Sequence, residues 1–165
     1  MWIMKKFFTF AFALVASALV LTSCEPKIES PLVGTWSTGR GTFAIHNPID
    51  GSLIGTFECT TSYTFYETGK YQYCINIIEQ EVDAQGINPI RDIYTTEGTW
   101  KTESDQLTLH KEKYGLRHDG VITYDPRYQP SDEVIKWEIK DNKLYLTYYV
   151  GTEREMTMEY FGFNH

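Results

Sequence analysis

The sequence predicts an all-β fold, an eight-stranded antiparallel up-and-down β-barrel preceded by a signal-peptide helix. Three observations carry this. From Val33 onward no segment sustains a helical period, and apolar residues alternate in runs separated by turn chemistry. Aromatic residues form 15% of the 165-residue chain, with 12 Tyr, 9 Phe and 4 Trp, and such side chains favour a pleated surface. Loop lengths also agree with face parity in successive hairpins, where a one-residue slip would turn a whole apolar face to water. The expected organisation is a leader over residues 1–23, a tether over 24–31 and one domain over 32–165.

The front segment, Met1 to Ser23, carries Lys5 and Lys6 and then an uncharged run from Phe7 to Leu21. An apolar stretch of about 15 residues is short for a bilayer span and fits a secretory signal. Leu21-Thr22-Ser23-Cys24 resembles the lipobox of bacterial lipoproteins, which implies that Cys24 becomes the lipidated first residue of the mature chain. Acyl chains there would hold the protein on a membrane, each buried CH₂ contributing about 0.8 kcal/mol. Glu25, not Asp, follows Cys24, and in that family this implies the outer membrane of the cell envelope. Glu25 to Pro31 reads as a tether lifting the domain off the surface. Without the leader the chain has 13 basic against 22 acidic residues, a net charge of −9, which argues against nucleic acid as a partner.

Each hairpin follows from parity. A three-residue loop Glu67-Thr68-Gly69 sets Phe65 opposite Tyr71 and Tyr63 opposite Tyr73, with Gly69 in the left-handed position. In that register Cys59 faces inward and Cys74 outward, too far apart for a disulfide. A two-residue turn at Ser104-Asp105 sets Trp100 opposite Leu109. Across Asp141-Asn142, Ile135, Trp137 and Ile139 meet Tyr148, Leu146 and Leu144. Across Gly151-Thr152-Glu153, Leu146, Tyr148 and Val150 meet Met158, Met156 and Arg154. Further strands are expected over Leu32 to Trp36, Thr42 to Ile45 and Arg91 to Thr102, with a turn at Asn47 to Gly51. Tyr114 to Ser131 reads as a mobile excursion containing a short strand at Val121 to Tyr124.

Leu32-Val33-Gly34-Thr35-Trp36 places a Gly-x-Trp at the first strand. With the meander behind it, this resembles the lipocalin and fatty-acid-binding group, and most nearly the lipocalin-like lipoproteins of Gram-negative bacteria. Tyr63-Thr64-Phe65 with Gly69 and Tyr71, and Gly98-Thr99-Trp100, match hairpins of those chains. The resemblance implies a closed barrel, Trp36 at its closed end and Arg154 laid across that ring.

Catalytic chemistry finds little support. There is no Gly-x-Ser-x-Gly, and His46, His110, His118 and His165 lack zinc-type spacing. His118-Asp119-Gly120 with Asp125 reads as a solvated loop, not a cation site. Glu112, Glu138 and Glu159 fall on outward parities, away from any paired-carboxylate arrangement. The expectation is a non-enzyme with no cofactor and no metal.

Binding is the better-motivated class. Tyr63, Tyr73, Trp100, Trp137, Tyr148, Met156 and Met158 face inward, as do Trp36 and Tyr160, and such walls suit a small hydrophobic molecule or a sugar ring. The plainer reading of any one of these side chains is that it simply fills the interior. The competing reading is an envelope adaptor that docks a protein or glycan through an outer patch of Tyr145, Thr147, Tyr149 and Thr157. An internal void of several hundred Å³ would separate the two.

Overall fold

A computed structural model describes residues 27–78, 90–118 and 120–163. The leader, its expected helix and Cys24 lie outside the described residues. Among the described residues every regular element is a strand, and there are ten: β1 (Gly34–Ser37), β2 (Gly41–His46), β3 (Leu53–Phe65), β4 (Lys70–Ile78), β5 (Ile90–Glu103), β6 (Gln106–His118), β7 (Val121–Tyr124), β8 (Ser131–Lys140), β9 (Lys143–Tyr148) and β10 (Met156–Phe163). All pairings are antiparallel. The order β1-β10-β9-β8-β6-β5-β4-β3 returns to β1 through a β1–β3 pairing, so the sheet is ring-like.

Ten strands replace the eight expected because two long strands each serve two short neighbours. Along one edge β3 pairs β1 with Ser62 to Phe65 and β2 with Leu53 to Cys59. β6 likewise pairs β8 through Gln106 to Lys111 and β7 through Gly115 to His118. The latter pairing corrects the mobile excursion in part: Tyr114 to His118 continues β6, while the short strand expected at Val121 to Tyr124 forms and pairs beside it.

Register follows parity at the tight turns. Phe65 opposes Tyr71, Tyr63 opposes Tyr73, and Gly69 has φ +75°. Trp100 opposes Leu109, and Trp137 opposes Leu146. Ser104, Asp141 and Asn142 all take positive φ, as two-residue hairpin turns require. The β9–β10 connection departs from the three-residue expectation. Its ladder stops at the Tyr148–Met156 pair, so Val150 and Arg154 are not partners. Tyr149 at φ +55° leaves the strand, and Thr152 then folds back on the Tyr149 carbonyl through both its N–H and its hydroxyl.

The ring is packed solid at the end where the chain enters. Leu32, Phe65, Leu107, Leu109, Ile135, Leu144 and Leu146 are at most 1% exposed, each stabilising by roughly 1.5–3 kcal/mol. Three tryptophans knit the turns there. The Trp36 indole donates to the Leu32 carbonyl at 2.9 Å, the Trp100 amide to Gly69 at 2.8 Å, and the Trp137 amide to Asp105 at 2.9 Å. The expected tether also belongs to this end. Lys27 pairs with Glu67, Ile28 bonds its backbone and packs on the core, and Ser30 caps the turn into Leu32. From Lys27 onward the segment is therefore docked and does not stand off the domain.

Cys59 and Cys74 are both free. Their ladder partners differ, Ile77 for Cys59 and Ser62 for Cys74, as the parity argument requires. Cys59 is fully buried, Cys74 is half-buried with Sγ 3.7 Å from the Thr95 hydroxyl, and burial raises the pKa of both thiols. A thiol reagent at neutral pH is therefore expected to modify neither in the native chain and both after denaturation. Rapid native labelling of Cys59 would contradict the inward register of β3.

Candidate functional site

Toward the far end, away from the entry turns, the packing opens into a cavity of about 310 Å³. Tyr63, Tyr71, Tyr73, Tyr94, Tyr114 and Tyr148 wall it, together with Met156, Met158, Phe43 and Ile45. Pro48 and Tyr149 reach it from the far-end connections. The rings support one another: Tyr63 and Tyr73 have centroids 4.5 Å apart, and Tyr160 meets Tyr63 edge-on at 5.6 Å.

Their hydroxyls form a chain. Tyr63 Oη lies 3.2 Å from Tyr148 Oη, which lies 3.3 Å from Tyr160 Oη, and the latter donates to Met158 Sδ. Burial is the first cause that lifts the pKa of Tyr63 and Tyr148 well above the usual phenol value, and the same cause pushes Tyr114 up to about 12. The phenols are thus neutral donors and acceptors at physiological pH. One hydroxyl stands apart: Tyr71 Oη is buried with no partner among the described residues. An unsatisfied buried hydroxyl costs about 1–3 kcal/mol. Tyr71→Phe is accordingly expected to stabilise the protein by about 1 kcal/mol, read by urea denaturation; a loss of stability would show that the hydroxyl is satisfied.

A charge pair sits in the same wall. Lys111 Nζ lies 2.9 Å from Glu133 Oε2, both side chains are largely buried, and both line the cavity. Parity could have found it, since Lys111 shares a face with Leu107 and Leu109, and Glu133 with Ile135. Tyr94 likewise shares the face of Trp100. Tyr114 could not be found this way. Between the pairs Glu97–Lys113 and Gly98–Lys111, Glu112 is an extra residue in β6, and this bulge turns the inward face from odd to even numbers.

Of the inward candidates, Tyr63, Tyr73, Tyr148, Met156 and Met158 come together around the cavity, Met156 at its rim. Trp36, Trp100 and Trp137 instead belong to the packed entry end. Arg154 does not lie across Trp36. It is exposed in the Tyr149 to Glu155 connection at the far end, whereas Trp36 opposes Gly162 at the other end of β10, and Gly162 closes on its ring. The outer patch loses a member too. Tyr149 turns toward the cavity, while Thr147 and Thr157 bond each other at 2.8 Å. In the far-end loop Arg127 takes the Asp125 carboxylate with two donors and lowers its pKa to about 2.

Fold and site together define an all-β protein whose ring-like antiparallel sheet surrounds a tyrosine-walled cavity at one end. No family model and no curated protein matches the chain.

Proposed function

We propose that the chain is a lipid-anchored cell-envelope protein, lipocalin-like in fold, that holds a small hydrophobic or aromatic-stacking ligand inside its β-barrel without altering it chemically. The cavity carries this reading: ligand pockets span about 300–1,000 Å³, are mostly apolar and hold a few placed polar groups. Seven tyrosines, two methionines and one ion pair meet that description. The lipobox-like Leu21-Thr22-Ser23-Cys24 supports the anchor and an outer-membrane location. The partners are then a small molecule and, through the acyl chains, a membrane. The adaptor reading draws less support, because its outer patch is reduced to Tyr145, Thr147 and Thr157.

Native mass spectrometry of the protein extracted from its own membrane tests the proposal. A non-covalent adduct that is lost from Tyr73→Leu is the expected result. Repeated absence of any adduct, with a crystal structure showing the cavity filled by side chains, would overturn it in favour of the adaptor.

A further inference from the structure

The cavity and the chain's point of entry lie at opposite ends of the ring. Lys27 Nζ pairs with Glu67 at 2.6 Å, the Ile28 amide donates to the Glu67 carbonyl at 2.8 Å, and the Ile28 side chain lies over Gly69. Behind that contact Leu32, Phe65, Trp100, Leu107 and Leu144, all at most 4% exposed, close the entry end. None of these five lines the cavity, which starts at the side chains of Tyr63, Tyr71 and Leu109 and extends to Pro48 and Tyr149. From Phe65 to Leu53, the ladder partner of His46 in the cavity wall, β3 covers about 40 Å at roughly 3.3 Å per residue. The tilt of strands in a closed sheet shortens this along the axis and leaves well over 20 Å.

Cys24 precedes Lys27 by three residues, and three residues reach at most about 11 Å. An anchor at Cys24 therefore holds the entry end within about 11 Å of the bilayer, so the domain cannot invert to set its far end on the bilayer with the entry end raised. We propose that the cavity faces away from the bilayer that anchors the protein and takes its ligand from the aqueous compartment, which makes that ligand a water-borne molecule with a ring to stack and polar groups to pair, not an acyl lipid drawn from that bilayer. This rests on reading Cys24 as the lipid anchor. The chemistry of the wall agrees: tyrosine hydroxyls and the Lys111–Glu133 pair reward polar substituents, and about 310 Å³ is small for a long acyl chain with its headgroup.

The test uses protein acylated in a bacterial host, its acyl chains verified by intact mass. Val121→Cys, exposed at the far end, and Lys140→Cys, exposed at the entry end, are labelled in turn with a donor dye. Each is reconstituted into phosphatidylcholine vesicles carrying an acceptor on their headgroups. Energy transfer from position 140 is expected to exceed that from 121 by about twofold or more, given a height difference of well over 20 Å. cis-Parinaric acid dissolved in the same vesicles is expected to give no saturable transfer to the protein. Equal or reversed energy transfer, or parinarate bound at one per chain, overturns the inference while leaving a ligand carrier intact. Intact mass without acyl chains removes the anchor and this inference with it.

Discussion

Replacing Gly98 by alanine is expected to destabilise the protein by about 3 kcal/mol or more, the upper end of what overpacking costs. A Cβ built on Gly98 would stand 1.9 Å from the His110 carbonyl oxygen and 3.1 Å from the Glu112 amide. Both are backbone atoms of β6, locked in the ladder around the bulge, so neither can swing aside as a side-chain tip could. The strand must move, and with it the inward face on which Lys111 and Tyr114 depend. Gly39→Ala is the control, because nothing lies within 4 Å of its added Cβ. Equal urea midpoints for the two variants would show that the bulge yields freely and that Gly98 is not needed for close approach.

Alkaline solution is expected to unfold the protein steeply, beginning just above the ordinary phenol range. Tyr63, Tyr71 and Tyr160 are at most 4% exposed, and burial, the first cause in each, raises their pKa above the ordinary value of 10.0. In the folded chain these phenols stay protonated; in the unfolded chain they ionise near pH 10. The folded state then binds more protons, so stability is fully present below pH 10 and declines as pH climbs toward the raised folded values. Each phenol contributes about 1.4 kcal/mol per pH unit, and three together about 4. With a total stability of about 5–15 kcal/mol the fold is lost within a few pH units. Tyrosinate absorbance should rise together with loss of near-ultraviolet dichroism, and Tyr160→Phe should make the decline shallower. Tyrosinate appearing from these residues while dichroism persists would mean that water reaches them in the native state.

Local chemistry made the tight hairpins legible. At Glu67 to Gly69, Ser104-Asp105 and Asp141-Asn142 a residue at positive φ coincides with a loop length of the parity that keeps apolar residues on one side. The cysteines followed from the same parity. The β9–β10 connection was misread because a glycine and a plausible parity match are compatible with a longer loop once Tyr149 itself takes a positive φ. The excursion after Tyr114 was misread because Gly115 and Gly120 look like breakers, yet Gly115 lies where a Cβ would meet the Thr123 carbonyl at 2.7 Å. Close strand approach, not loop freedom, explains that glycine.

The alternation of side chains by itself determined that the chain forms antiparallel strands and, where no bulge intervenes, which residues of a strand share a face, since a one-residue slip would turn the apolar face to water. Where those inward residues end up along the ring was decided only by the tertiary structure. Trp36, Trp100 and Trp137 carry the same pattern as Tyr63, Tyr73 and Tyr148, yet the first set fills the entry end and the second walls a cavity. Strand pairing sets which residue stands at which height, and the bulge at Glu112 brings Lys111 and Tyr114 to one interior. Both depend on contacts between residues far apart in the chain, to which a local period is blind.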